Sequence, residues 1–237
     1  MSKASKANIF ISGTSSGIGK AIAYTFLKRG HVICGCSRSS ASIFHENYIH
    51  YECDLTVEAD VNLMIKSINI DGFYPSILIN NAGREHSALA LKTDFKDINN
   101  VLLLNTIATM NLTNSFLTHM MRKNKGRIIN ILSICAPLGL RGSATYSASK
   151  KAIEGYVGCL INEVKDYDIS INNLGLSYVE ATKMSKLQDN KIKSQTKHLL
   201  AKNSEISVKE IIHGIDFFIN EKAKNITGQT LYYGGVS

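Results

Sequence analysis

A tyrosine and a lysine one helical turn apart are the residues of this sequence best suited to proton transfer. Tyr146 and Lys150 occur in the run Tyr-Ser-Ala-Ser-Lys, and Ser133 lies upstream of them. Residues four apart share one helix face, where an ammonium group can lower the pKa of a phenol. Such a phenol can donate a proton to a carbonyl oxygen near neutral pH. The same spacing is also typical of an ordinary solvated helix face, so the preceding sequence must decide.

The apolar segments predict the elements that would position these residues. Short apolar strands alternate with helical stretches, without the polar alternation of a sheet that faces water. This pattern predicts an α/β fold, a single-domain Rossmann-type three-layer sandwich over residues 1–237 with a mostly seven-stranded parallel sheet. The predicted strands are 8–12, 31–36, 49–53, 76–80, 127–132, 169–174 and 229–232. The predicted helices are 18–27, 57–68, 94–123, 143–167 and 208–220, and Thr56 is expected to cap the second.

A glycine-rich turn follows the first predicted strand and opens a helix. Gly13 permits a tight turn, Gly17 lets the backbone approach a pyrophosphate, and Gly19 allows close packing of helix on sheet. The pyrophosphate would lie at the positive N-terminus of the helix. A glycine-rich turn without a ligand is the alternative interpretation, because the spacing differs from the more common G-x-G-x-x-G. The residues of the turn are Gly13, Thr14, Ser15, Ser16, Gly17, Ile18 and Gly19.

A second motif follows the fourth predicted strand. It consists of Asn80, Asn81, Ala82 and Gly83. Small residues at the carboxyl end of a strand leave room for an adenine ribose, and an asparagine side chain can tie neighbouring strands together. An ordinary turn is equally compatible with Asn-Ala-Gly.

Together these motifs resemble those of the short-chain dehydrogenase/reductase family, in particular its 3-oxoacyl-acyl-carrier-protein reductases. The similarity covers about residues 7–235, and the glycine turn, the Asn80–Gly83 motif and the Ser-Tyr-Lys set occur in the family's order and spacing. The resemblance implies a ketone reductase in which Tyr146 donates the proton and Ser133 orients the carbonyl oxygen. It also implies that Lys150 binds the nicotinamide ribose and lowers the pKa of Tyr146.

The resemblance points to further residues. Asn105 matches an asparagine that in the family has a distorted helix around it and holds a water on the lysine; bonding only to its own helix is the alternative. Asp54, with Leu55 beside it, matches a carboxylate that accepts from the adenine amino group, although an N-cap or Asx-turn also suits it. Val179 and Thr182 match contacts to the nicotinamide carboxamide, despite the absence of the family's Pro-Gly after the sixth strand.

The end of the second predicted strand bears on the choice of cofactor. Ser37 stands where NAD-preferring relatives carry an aspartate, whose carboxylate would repel a 2′-phosphate. Arg38 can bind that phosphate and stack on adenine. The sequence therefore predicts NADP(H) in preference to NAD(H), although Ser16 stands where many NADP(H)-preferring relatives have a second basic residue.

The composition limits the remaining functions. The chain has 44% hydrophobic and 19% charged residues, and no apolar run predicts a signal peptide or membrane span. The net charge of +8 is spread along the chain, which favours attraction of an anionic cofactor or carrier over nucleic-acid binding. The cysteines lack metal-ligand spacing, so no metal site is predicted, and reduced thiols of a cytoplasmic protein are expected. They are Cys34, Cys36, Cys53, Cys135 and Cys159.

The substrate stays open at this level. Specificity is expected to lie in residues 135–142 and in the lysine-rich stretch 183–207, for which a solvated helix face is the alternative. The candidates are a carrier-linked 3-oxoacyl thioester, a free small alcohol, sugar or ketone, and a non-catalytic NADP(H)-binding sensor. Tyr167 stands where carrier-docking reductases usually have arginine. The resemblance also implies a homotetramer or homodimer through helices 94–123 and 143–167.

Overall fold

A computed structural model of the chain describes residues 6–180, 198–202 and 204–236. Its strands are β1 (Asn8–Ser12), β2 (Val32–Ser37), β3 (Tyr48–Glu52), β4 (Ile77–Asn80), β5 (Gly126–Ser133), β6 (Ile169–Leu176) and β7 (Thr230–Tyr232). They form one parallel sheet in the order β3-β2-β1-β4-β5-β6-β7. The order reverses between β1 and β4, and ligands of such sheets bind at that point. The predicted fold class is therefore confirmed.

Helices cover both faces of the sheet. They are α1 (Gly17–Lys28), α2 (Glu58–Ile70), α3 (Phe95–Leu102), α4 (Ala108–Lys123), α5 (Cys135–Leu138), α6 (Ala144–Glu163) and α7 (Val208–Ile219). Side chains alternate along β1, so Ile9 and Ile11 pack in one core with α1 and α7, and Phe10 packs in the other with α2, α4 and α6. In the described part of the chain, no helix has the length and apolar character needed to cross a membrane.

Several predicted boundaries were wrong, each for a local reason. The expected cap Thr56 does not cap α2, because its hydroxyl donates to Asp54 instead (2.7 Å). The long helix expected over 94–123 is present from Phe95 to Lys123, and the π-helical segment Leu103–Ile107 joins its two α-helical parts, α3 and α4. Strand β6 runs on to Leu176, beyond the predicted end, because it stays paired with β5 as far as Ser133.

A row of hydrogen-bonded asparagines crosses the buried half of the sheet. Asn80 Nδ2 donates to Asn130 Oδ1 (2.9 Å), and Asn130 Nδ2 donates to Asn173 Oδ1 (2.9 Å). Asn173 Nδ2 then donates to Thr230 Oγ1 (3.0 Å), so the row joins β4, β5, β6 and β7. These residues are paired in strand register, which places their side chains on one face. An asparagine of the Asn80–Gly83 motif thus does tie strands together, as predicted.

Candidate active site

The four predicted catalytic side chains meet at the carboxyl edge of the sheet. Ser133 ends β5, while Tyr146 and Lys150 occupy the first turns of α6. The Lys150 ammonium lies 5.9 Å from the centroid of the Tyr146 ring, and the Ser133 and Tyr146 side chains are hydrogen-bonded. All four side chains are buried, with at most 9% of each exposed. A buried cluster of this kind is unlike the solvated helix face that the sequence left open.

Gly83 marks where Asn105 and Lys150 converge. A Cβ atom on Gly83 would lie 3.2 Å from Asn105 Oδ1 and 3.3 Å from Lys150 Nζ. A side chain at this position would therefore crowd both polar groups. The end of the Asn80–Gly83 motif and the Tyr-Lys helix thus belong to one site.

Asn105 lies within the π-helical segment and bonds outside its own helix. Its Oδ1 accepts from the Arg84 backbone N–H (2.8 Å), and its Nδ2 donates to Arg84 O (2.9 Å) and to Ser149 Oγ (3.0 Å). The alternative in which Asn105 bonds only its own backbone is therefore wrong. The helix distortion that the resemblance implied is present. Ser149 and Arg84 are partners that the sequence reasoning missed; a serine beside Lys150 on a buried helix face was the available signal for the first.

Lys150 is a buried cation held by a backbone carbonyl. Its ammonium donates to Ile131 O of β5 (2.8 Å). Burial lowers the pKa of Lys150 from 10.5 to about 8, and the nearby Cys135 acts weakly in the opposite direction. The side chain can therefore exchange a proton close to neutral pH.

The pKa of Tyr146 is shifted in the direction opposite to the one expected from the sequence. Burial raises its pKa well above 10, the charges of Cys135 and Glu85 raise it further, and the hydrogen bond with Ser133 lowers it. The predicted lowering of this pKa by Lys150 is not found. Its physical reason is that desolvation of the phenol dominates, while the Lys150 ammonium is directed at Ile131 O and itself loses charge readily. Tyr146 is consequently a protonated donor at neutral pH.

Residues of the Asn80–Gly83 motif hold the glycine turn in place through hydrogen bonds. Asn81 Nδ2 donates to Ser12 O (2.9 Å) and Gly13 O (3.2 Å), and the Asn81 and Ala82 backbone N–H groups donate to Ser12 Oγ. A Cβ atom on Gly19 would collide with Gly13 O and Asn81 Nδ2. Only glycine therefore fits at position 19 without moving the turn.

The space beside Gly17 in the glycine turn is not filled by other atoms of the described chain. Gly17, at the start of α1, has a φ of +58°, and a Cβ atom there would meet nothing within 4 Å. Ser16 stands at the N-cap position without a capping side-chain hydrogen bond, and Ile18 follows in the first turn. Ser15 O accepts from Ser42 Oγ (2.9 Å), which fixes the rim of the turn. Free amides at an uncapped helix start beside open space suit a phosphate group.

At the end of β2 the structure groups Ser37, Arg38 and Asp54. Ser37 Oγ donates to Ser39 O (2.8 Å), and Arg38 is exposed. Asp54 Oδ1 accepts from the Thr56 N–H (2.9 Å) and hydroxyl, which is the Asx-turn that the sequence left as an alternative. These bonds, and then the Arg38 charge, lower the pKa of Asp54. The adjoining Leu55 is buried in the core.

The remaining predicted contacts follow β6. Val179 is buried and pairs with Ile206 in an isolated parallel bridge. Thr182 lies outside the described residues, as does most of the lysine-rich stretch 183–207, so their roles stay predictions. Residues 135–142 form the short helix α5 and a turn in which Ala88 N donates to Gly142 O (2.9 Å).

The structure adds two residues at the cofactor edge that the motifs did not indicate. Tyr48 and His50, on one face of β3, are hydrogen-bonded to each other, and Tyr48 also bonds Thr14 of the glycine turn. A Cβ atom on Gly35 of β2 would collide with the hydroxyls of both Thr14 and Tyr48. Alternating polar residues on β3 were the only sequence signal for this contact.

The chain combines a Rossmann-type parallel sheet, an open glycine turn and a buried Ser-Tyr-Lys cluster. This combination is typical of oxidoreductases that bind a dinucleotide. The family model described as short chain dehydrogenase matches residues 7–193. The chain belongs to the short chain dehydrogenase family and is an oxidoreductase.

Relatives with curated names or solved structures extend over nearly the whole chain. A 3-oxoacyl-[acyl-carrier-protein] reductase FabG of Rickettsia bellii is 32% identical over 232 residues, covering 95% of this chain and 94% of the relative. ElxO with NADP bound is 29% identical, with a TM-score of 0.84 and 96% of each chain covered. A 4-hydroxyisoleucine dehydrogenase complexed with NADH is 22% identical, with a TM-score of 0.89 and 97% and 98% of the two chains covered, a likeness of fold alone.

Proposed function

We propose that this protein is an NADPH-dependent reductase that converts a ketone to a secondary alcohol, with a 3-oxoacyl thioester on an acyl carrier as its substrate. The observation that carries the proposal is the buried cluster of Ser133, Tyr146 and Lys150 beside an open glycine turn. The similarity to the FabG reductase of Rickettsia bellii supports the choice of substrate.

The residues at the carboxyl edge fit a dinucleotide. The uncapped start of α1 and the open space above Gly17 suit the pyrophosphate. Asn81, Ala82 and Gly83 would border the adenosine and nicotinamide riboses, and Lys150 would hold the nicotinamide ribose hydroxyls. When bound, the reduced nicotinamide supplies the hydride to the carbonyl carbon.

The protein's own residues would supply and replace the proton. Tyr146, held in its protonated form by burial, donates to the developing alkoxide, while Ser133 donates a hydrogen bond to the same oxygen. Lys150 can restore the proton, because its lowered pKa, about 8, permits exchange near neutral pH. Asn105 would keep a water beside Lys150, since its Oδ1 and the Lys150 ammonium both border the space beside the Gly83 Cα atom.

Ser37 and Arg38 carry the preference for NADPH. Solved structures of similar fold hold either form, NADP in ElxO and NADH in the 4-hydroxyisoleucine dehydrogenase. Here β2 ends in a neutral serine followed by an exposed arginine, so a 2′-phosphate meets the Arg38 cation, and Ser37 stands in place of the aspartate that would repel it. Asp54 is engaged in its Asx-turn, and its second oxygen would serve the adenine amino group.

One assay distinguishes the candidate functions. NADPH oxidation is followed with acetoacetyl groups on an acyl carrier protein, with acetoacetyl thioester lacking the carrier, and with a panel of free ketones and sugars. Preferred turnover of the carrier-linked substrate is expected. Turnover of free ketones alone would replace the thioester assignment, and NADPH binding without any turnover would indicate a sensor.

A further inference from the structure

A chain of hydrogen bonds links the glycine turn to the end of β2 through two side chains of β3. Thr14 Oγ1 and Tyr48 Oη lie 2.7 Å apart, and Tyr48 Oη lies 2.7 Å from His50 Nδ1. The other ring nitrogen, His50 Nε2, lies 3.0 Å from Ser39 O and 3.2 Å from Ser37 Oγ. The imidazole is therefore anchored at both nitrogens, directly below the residues that favour a 2′-phosphate.

The partners of His50 fix the positions of its hydrogens. Ser39 O can only accept, so Nε2 carries a hydrogen in both the neutral and the charged ring. Nδ1 is then an acceptor in the neutral ring and a donor in the charged ring. Tyr48 Oη can match either state, because a hydroxyl can donate to Nδ1 or accept from it.

Charging the ring therefore breaks no hydrogen bond within the chain. In the charged state Nδ1 donates to Tyr48, and the Tyr48 hydroxyl turns its hydrogen to Thr14 Oγ1. Burial raises the pKa of Tyr48 to about 12, so this hydroxyl keeps its hydrogen throughout the working pH range. The space for this arrangement comes from Gly35, where any side chain would displace both hydroxyls.

We infer that His50 is a specificity-determining residue for the cofactor, which in its charged form adds a second cation to the subsite for the 2′-phosphate. The inference rests on the proposed function, since it concerns the same dinucleotide. Binding of the 2′-phosphorylated cofactor and protonation of His50 then favour each other, by the reciprocity of linked equilibria. Arg38 would thus not act alone. A charged His50 on β3 would compensate for the basic residue that is missing at Ser16.

Other charged groups at this edge act on the same ring. Tyr48 and Glu52 lie on its own face of β3, since residues two apart share a face, and Glu52 stands in register with Ser37 of β2. Arg38 follows β2, and Asp54 follows β3. A bound 2′-phosphate would add a negative charge to this set of charged side chains.

The test measures dissociation constants for NADPH and NADH, from nicotinamide fluorescence, between about pH 8 and about pH 6. Because a charged ring would attract the 2′-phosphate, NADPH affinity should rise by roughly tenfold on acidification, relative to NADH affinity. Protonation of the 2′-phosphate itself would lower NADPH affinity on acidification, because that group loses charge at low pH.

Two variants make the test specific to His50. In His50→Gln, which keeps an N–H group for Ser39 O but cannot be charged, the NADPH and NADH profiles should become parallel. In Tyr48→Phe, which removes only the hydroxyl, the rise in NADPH affinity should shift to lower pH, because the charged ring loses its acceptor. A full pH dependence retained in His50→Gln would overturn the inference and leave the reductase proposal intact. Failure of both dinucleotides to bind at any pH would instead overturn the proposed function.

Discussion

At the scale of single residues, the site depends on which charges the fold buries. Lys150 has a folded-state pKa of about 8 against an ordinary value of 10.5, so the folded protein binds fewer protons than the unfolded chain between these values. The cost of burying its charge is therefore complete below about pH 8 and fades as the pH rises towards 10.5. The fold thus tolerates an unfavourable cation at the point where proton exchange is needed.

Replacing Lys150 by methionine should stabilise the protein in a pH-dependent way. Denaturant unfolding should give Lys150→Met a higher free energy of unfolding than the native chain, by up to roughly 3 kcal/mol at neutral pH. The advantage should shrink as the pH approaches 10.5. Lys151→Met, on the exposed side of the same helix, is the matched control and should show no such trend. An advantage independent of pH would contradict the assigned cause.

At the scale of elements, the asparagine row holds the strand ends on which the site is built. Removing Asn130 leaves the Asn80 amide and the Asn173 carbonyl oxygen short of a buried partner. Each unmatched buried polar group costs ~1–3 kcal/mol. Asn130→Ala should therefore lower the free energy of unfolding by roughly 2–6 kcal/mol. The exposed Asn62→Ala on α2 should change it little, and equal losses in the two variants would show that the row contributes nothing special.

Some features of the fold and the site could be predicted from the sequence, and others could not. The glycine turn and the Ser-Tyr-Lys helix were predictable, because each rests on local spacing and residue type, whereas the helix distortion around Asn105 was implied by the family resemblance. The direction of the Tyr146 pKa was not, since it follows from burial and from Cys135 and Glu85, which only the folded chain brings close. The Tyr48–His50 contact depends on strand register and on the space above Gly35, which a single sequence does not display.

At the scale of the whole molecule, α3, the π-helical segment and α6 expose apolar and small residues that could meet a second copy of the chain. Phe95 and Ile107 are 76% and 53% exposed, and the small residues Ala152, Gly155 and Cys159 of α6 are exposed as well. Val157 of the same helix packs instead in the core and is buried. We propose that the remaining residues form a close helix–helix interface in a homodimer or homotetramer.

The interface proposal can be tested at Gly155. A Cβ atom there would meet nothing within 4 Å inside the chain, so Gly155→Arg should preserve the fold while blocking the approach of a second α6. Sedimentation should find the native chain as a dimer or tetramer and the variant as a smaller species. Asn62→Arg on exposed α2 should leave assembly unchanged. A monomeric native chain, or an unchanged assembly of Gly155→Arg, would contradict the interface.

The central claim is that the Tyr146 hydroxyl supplies the proton in a carbonyl reduction. The most direct measurement compares kcat for NADPH-dependent reduction of an acetoacetyl thioester between the native protein and Tyr146→Phe, with the NADPH dissociation constant measured for both. Because the variant loses only the buried hydroxyl, kcat should fall by ~10²–10⁴-fold while NADPH binding changes little. Near-native turnover by Tyr146→Phe would contradict the assignment of this residue as the proton donor.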